Sequence, residues 1–109
     1  MLGMVSVSAA TAVLGYDLAT NTEWQQAGRW RKMVATGLKG SAAALDTQVR
    51  IMIGSAQVGT QFNSGTGAPN RDDMFRIGSL VPPNTEVHFF ISDAASTNPI
   101  NLACDFEDL

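Results

Sequence analysis

Residues 29–53 read RWRKMVATGLKGSAAALDTQVRIMI, and this stretch decides the fold that the sequence predicts. Successive side chains of a β-strand point to opposite faces, so a strand with one buried face has apolar residues at every second position. The second half shows this pattern, with Val49, Ile51 and Ile53 on one face and Gln48, Arg50 and Met52 on the other. It predicts a strand with one buried and one wetter face.

The first half of the stretch also alternates. One face would carry Trp30, Lys32, Val34, Thr36 and Leu38, and the other would carry Arg31, Met33, Ala35 and Gly37. Arg29 to Ile53 is therefore predicted to hold two extended segments joined by a short connection of small residues. The remaining strands are expected to pack against this pair.

The other strands are predicted from shorter runs. Residues 4–9 (MVSVSA), 74–79 (MFRIGS) and 86–92 (EVHFFIS) each suit a strand, and Ile100, Leu102, Cys104 and Phe106 alternate with polar residues in a last one. Gly54-Ser55 is a hairpin signal that pairs Gln48–Ile53 with Ala56–Gln61. Residues 10–18 fit either a second strand or one helical turn, whereas 22–26 (TEWQQ), 63–73 (NSGTGAPNRDD), 80–85 (LVPPNT) and 93–99 are predicted as loops or turns.

These patterns predict an all-β fold in a single domain over residues 1–109, with seven or eight short antiparallel strands in a jelly-roll-like β-sandwich. Only 16% of the residues are charged, against about 25% in an ordinary soluble domain. Such a surface suits contact with neighbouring subunits. It equally suits a compact β domain with a neutral polar exterior.

Charge and hydropathy exclude several classes of function. A net charge of −3 argues against duplex nucleic acid as a partner, because binding to phosphates needs a positive surface. Met1 to Tyr16 carries no charge, so it lacks the basic start of a secretory signal, and it is too short and too rich in Ser and Thr to span a bilayer. We therefore expect no transmembrane segment.

Residues able to carry catalysis are few. His88 is the only histidine and lies in an apolar run, and no G-x-S-x-G turn presents a serine. One histidine and one cysteine cannot supply a zinc site, and the acidic residues near Asp72 and Asp105 lack the spacing of a calcium loop. We expect no enzyme activity, no cofactor and no metal.

The candidate binding residues are Arg29, Trp30, Arg31 and Lys32, with Trp24 just before them. On a strand, Arg29 and Arg31 would form a basic face, and Trp30 and Lys32 the opposite one. Their partner could be an anionic molecule, a lipid headgroup or an acidic patch on another subunit. Alternatively, Trp30 packs at the edge of the core and the arginines lie in solvent, or Trp24 and Trp30 stack on sugar rings of a carbohydrate ligand.

The scarcity of helix, the uncharged segment Met1 to Tyr16 and the strands punctuated by Gly37, Gly40 and Gly54 resemble a class of structural proteins. The chain is similar in style to the small jelly-roll-like β-sandwich components of non-enveloped virus or bacteriophage particles, such as minor capsid, cement or vertex proteins. This resemblance implies a homo-oligomer located in a virion, which contacts copies of itself and other structural subunits. Because Arg29 to Lys32 concentrates cations beside an aromatic residue, we expect that changing Arg29 and Arg31 to alanine leaves folding intact but weakens an intersubunit or anionic contact.

Overall fold

The computed structural model describes residues 1–8, 10–40, 47–65, 67–69, 72, 74–94 and 99–109, and these contain no α-helix. Seven strands form two sheets. They are β1 (Leu2–Val7), β2 (Arg31–Lys39), β3 (Gln48–Ile53), β4 (Ala56–Phe62), β5 (Phe75–Val81), β6 (Val87–Asp93) and β7 (Ile100–Asp108). The order is β1-β7-β2-β5 in the four-stranded sheet and β4-β3-β6 in the three-stranded sheet. All neighbours are antiparallel, which confirms the predicted β-sandwich.

The strand pairing is that of a jelly roll in which one strand is irregular. A jelly roll is a long antiparallel hairpin rolled into two sheets, so the first strand pairs with the last and the pairing continues inward. Here β1 pairs with β7, β2 with β5, and β3 with β4. The jelly roll needs one more strand, which pairs with β6 and comes between β1 and β2 in the sequence.

Residues 15–25 occupy that place. Backbone N–H groups of Gly15 and Leu18 donate to Ile91 and Phe89 of β6, at 2.8 and 3.0 Å. Asp17 forms an antiparallel bridge with Phe90. The prediction for residues 10–18 left open a strand or one helical turn. Thr11 and Ala12 donate to the carbonyl of Ser8 in a turn, and residues 15–18 follow β6 without becoming a regular strand.

The two predicted extended segments are β2 and β3, but they lie in different sheets. The predicted connection between them falls mainly on residues 41–46, outside the described residues. The predicted faces of β2 hold only in part, because the register with β7 shifts between Met33 and Ala35. A bulge there brings Thr36 and Leu38 to the same buried side as Met33, whereas strict alternation placed them on opposite sides.

The core lies between the sheets, where the alternating strands predicted it. Val87, Phe89 and Ile91 of β6 are buried, and so are four alternating positions of β7, which are Ile100, Leu102, Cys104 and Phe106. Ala103, which alternation placed on the outer face of β7, is also fully buried. The β3–β4 hairpin has the predicted turn, with Gly54 at φ 59°, a conformation that favours glycine.

Some predicted boundaries were wrong. The first strand begins at Leu2 and ends at Val7, two residues earlier at each end than predicted, and Ala9 lies outside the described residues. Leu80 and Val81 belong to β5 rather than to the following turn, because both pair with β2 before Pro82 interrupts the ladder. Residues 95–98 of the predicted turn 93–99 also lie outside the described part.

Part of the predicted loop 63–73 packs on the four-stranded sheet. Pro69 is buried against Gly37 of β2, where an added Cβ would lie 2.9 Å from Cβ of Pro69. Asn101 Nδ2 donates to the carbonyl of Gly67 at 2.8 Å. Gly67 and Pro69 of this predicted loop therefore belong to the packed fold.

Candidate assembly surface

The Arg29 to Lys32 cluster is divided between the interior and the surface, so the predicted basic face does not form. Arg31 is only 2% exposed and projects into the core, whereas Arg29 lies outside and pairs with Asp108 at 2.8 Å. Trp30 is half exposed and Lys32 partly exposed. A role for Arg29, Trp30 and Lys32 in binding an anionic partner stays a prediction.

Arg31 links loop 24–25 to the core. Its Nη1 donates to the carbonyl of Trp24 and its Nη2 to the carbonyl of Gln25, and the guanidinium lies 4.3 Å from the centre of the Phe106 ring. Burial lowers the pKa of Arg31 and outweighs the opposing effect of Asp108. This side chain therefore stabilises the fold and is not available to an external partner.

Trp24 is also buried, and its side chain packs in the core. Its ring lies 6.1 Å from Phe89 and 6.0 Å from Phe106, and it packs directly on Gly3 of β1. Stacking on a sugar ring needs an exposed indole face, which Trp24 does not offer. The sequence placed Trp24 in a loop correctly but gave no sign that the loop turns this side chain inward.

The open side of the sandwich lies between β4 and β5, which are edge strands of the two sheets. A cleft of ≈ 330 Å³ opens between them, with Ile51, Phe62, Phe75 and Ile77 among its lining residues. The Phe75 side chain is 59% exposed although its strand partner Thr36 is buried. The cleft is therefore a largely apolar surface at a strand edge.

The floor of the cleft is polar but internally satisfied. Thr36 Oγ1 donates to Gln61 Oε1 at 2.7 Å, and Gln61 Nε2 donates to the carbonyl of Thr36 at 3.0 Å. Both residues are buried. Because each group already has a partner in the other, the floor favours an apolar occupant over one that must be held by hydrogen bonds.

The edge strands on both sides of the sandwich lack protective charges. β1 (LGMVSV) and β4 (AQVGTQF) contain no charged residue and no proline, and β5 has only Arg76. Natural proteins usually protect exposed edges with charges or prolines, because unpaired backbone groups recruit other strands. We define the assembly surface as the edges of β1, β4 and β5 together with the apolar cleft.

Asp17 is a key residue that the sequence did not reveal. Its Oδ1 accepts hydrogen bonds from the backbone N–H groups of Ala19 and Phe89, at 3.0 and 2.9 Å. Its Oδ2 accepts from Gln25 Nε2 at 3.0 Å and lies 2.8 Å from His88 Nδ1. One carboxylate thus attaches segment 15–25 to β6, and His88 has a structural partner.

Cys104 belongs to the hydrophobic core. Burial raises the pKa of its thiol well above the ordinary value of 9.0. The folded protein keeps this proton at pH values where the unfolded chain loses it. The contribution of the protonated Cys104 thiol to stability is complete below about pH 9. As pH rises toward the pKa of the thiol in the folded protein, the free energy of unfolding falls by about 1.4 kcal/mol per pH unit.

We expect urea unfolding to show this difference between the wild type and Cys104→Ala. The free energy of unfolding of the wild type should fall more steeply than that of the variant between pH 9 and 10.5, by about 1 kcal/mol per unit. Parallel curves would show that the thiol ionises equally in both states.

The described residues contain no group of three or more His, Cys, Asp and Glu side chains that could hold a metal ion. No helix within the described ranges has the length and apolar character needed to cross a membrane. The chain has no significant match among protein-family models, curated proteins or solved structures.

Proposed function

We propose that this chain is a structural subunit that works by assembling with copies of itself and with other structural subunits, as a component of a virus or bacteriophage particle. The observation that carries the proposal is the uncharged edge of β4 beside the apolar cleft. The proposed role is non-enzymatic and needs neither metal nor cofactor.

Pairing of another strand with β4 would hydrogen-bond the unpaired backbone groups of its edge and would also cover the cleft. An added strand hydrogen-bonds to the unpaired backbone groups, and its alternate side chains enter the space between the sheets. Phe62 and Phe75, which are 43% and 59% exposed, would lose contact with water in such a complex. The backbone hydrogen bonds and the burial of the two phenylalanines both require a partner strand of neutral or apolar character.

The fold and the composition of the chain support the virion location. Jelly rolls are common in viral capsid proteins, and the strand pairing of this chain has that order. The same fold also occurs in lectins and cupins, so it supports the proposal by analogy alone. The low content of charged residues fits a subunit whose surface is largely covered by neighbours.

A second candidate function is binding of a ligand, and the cleft favours it. Its volume of ≈ 330 Å³ is within the range of small-molecule sites, and its walls are mainly apolar. This function predicts that a small apolar ligand raises the melting temperature of the dilute protein, and that Phe75→Ala abolishes the rise. A carbohydrate ligand is less compatible with the structure, because Trp24 is buried.

A charge placed on the edge of β4 tests the assembly proposal. An added Cβ at Gly59 meets no atom within 4 Å, so Gly59→Glu should fold normally. We expect it to weaken self-association at least tenfold, measured by sedimentation velocity from micromolar to millimolar concentration, because pairing would bring a carboxylate to the contact.

Ser55→Glu is the matched control, since Ser55 is exposed in the turn of the same hairpin. It adds the same charge away from the edge and should associate like the wild type. Equal association of all three proteins would place the contact elsewhere, and a wild type that stays monomeric throughout would refute assembly by this chain.

A further inference from the structure

The two lateral halves of the sandwich carry opposite charges. β2, β3 and β5 contain five of the seven Lys and Arg residues, and neither these strands nor β4 contain any Asp or Glu. All four lie on one side, since β2-β5 and β3-β4 are adjacent in their sheets. Of these five, Arg31 is buried, and the Arg50 guanidinium lies 5.8 Å from the Phe90 ring of β6. The positive charge of this side is therefore carried by Arg76, which is exposed, and by Lys32 and Lys39, which are partly exposed. The side that holds the cleft is therefore cationic.

The opposite half is anionic. β1, β6 and β7 contain no Lys or Arg side chain, and Asp93 of β6 and Glu107 of β7 are exposed acidic residues. Two further acids of β7 have internal partners, since Asp105 lies 3.9 Å from the ammonium group of Met1 and Asp108 pairs with Arg29. Segment 15–25 at the same side adds two further acidic residues, Asp17 and Glu23, of which Glu23 is exposed. Alternation of charge along the sequence gave no sign of this division, which appears only when the sheet order is known.

The edge strands of the anionic and cationic sides run in opposite directions, so they can pair antiparallel between two copies. With four antiparallel strands in a sheet, β1 and β5 run in opposite directions. Segment 15–25 and β4 are likewise opposed in the other sheet, because segment 15–25, β6, β3 and β4 are successively antiparallel. A second copy displaced sideways without rotation would thus bring its β1 antiparallel to β5 of the first.

We propose that copies of this chain associate head to tail, with the anionic β1 side of one copy on the cationic β4–β5 side of the next. This inference rests on the proposed function and names its partner and geometry. The neighbour's β1 extends the four-stranded sheet, and its side chains cover the cleft. Because the two contacting surfaces differ, repetition gives a closed ring or an open filament.

The alternative of two identical edges in contact is disfavoured by charge. Pairing two β4–β5 sides would oppose two cationic surfaces, and pairing two β1 sides would oppose two anionic ones. Like charges across an interface disfavour association, whereas unlike charges fix the partner and its orientation. Head-to-tail contact alone pairs unlike charges.

Two variants that each block one side test the geometry. Arg76→Glu reverses the charge on the β5 side, and Met4→Lys adds a cation to β1, where the Met4 side chain is 51% exposed. Each variant keeps one intact side. Sedimentation velocity should show each alone as a monomer at concentrations where the wild type associates, and an equimolar mixture as a 1:1 heterodimer without larger species.

Other outcomes would overturn head-to-tail association. If either variant alone forms dimers, two identical sides are in contact, and if the mixture stays monomeric while the wild type associates, the contact lies elsewhere. In both cases assembly itself stands, whereas a monomeric wild type refutes both proposals. Thermal unfolding checks that each variant is folded, and Thr60→Glu with Ser6→Lys provides a second pair at exposed positions of the edge strands β4 and β1.

Discussion

Arg31→Ala is expected to lower the free energy of unfolding by about 3 kcal/mol, because it leaves one backbone carbonyl without its donor, removes one of two donors from another, and opens a space beside Phe106. The affected carbonyls are those of Trp24 and Gln25, in a loop that covers the core. Urea unfolding monitored by tryptophan fluorescence measures the change. The double alanine variant of Arg29 and Arg31 should consequently be unstable, contrary to the expectation from sequence.

Arg29→Ala is the matched control. Arg29 pairs with Asp108 on the surface, where both side chains are more than half exposed, and such pairs contribute less than about 1 kcal/mol. The two variants remove the same charge two residues apart. Equal and small effects would contradict the structural role of Arg31 and would indicate that its side chain is exposed like that of Arg29.

Asp17→Ala is the second change with a large expected effect, again about 3 kcal/mol of unfolding free energy. It removes the acceptor for the backbone N–H groups of Ala19 and Phe89 and for Gln25 Nε2, and it leaves His88 without its partner. Buried donors that lose their acceptor cost about 1–3 kcal/mol each, although relaxation and water recover part of the sum. Urea unfolding with amide exchange of β6 would measure it.

Asp17→Asn and Glu23→Ala serve as comparisons. The amide of asparagine retains one acceptor oxygen, but its NH₂ group faces Gln25 Nε2 and His88, so we expect a loss of about 2 kcal/mol. Glu23 is an exposed acidic residue of the same segment and should have little effect. If Asp17→Ala unfolds like the wild type, segment 15–25 is held mainly by its backbone bonds and apolar contacts.

Much of the fold could be predicted because period-2 alternation reports burial directly. Val87, Phe89 and Ile91 of β6 and the alternating residues of β7 were assigned to the core on that basis, and all are buried. Alternation fails where a strand changes phase, as it does at the bulge in β2. A residue type can also mislead, since Arg31 lies in the core by satisfying two carbonyls and an aromatic ring.

The assembly surface could not be predicted from sequence because it depends on sheet order. β4 was recognised as a hairpin strand, but no local pattern shows that one of its sides is left unpaired. The cleft depends on β4 and β5 meeting at the same side of the sandwich, and residues 51, 62, 75 and 77 come together there only after folding. The charge asymmetry of the two halves likewise follows from topology.

Assembly through strand edges is the central claim, and amide hydrogen exchange of the wild type at low and high concentration tests it most directly. At high concentration we predict slower exchange in β1, β4 and β5, because their edge N–H groups become hydrogen-bonded to a neighbouring copy. β7, which has a strand on each side, should be unchanged and serves as the internal reference. Identical exchange of β1, β4 and β5 at both concentrations would contradict the claim.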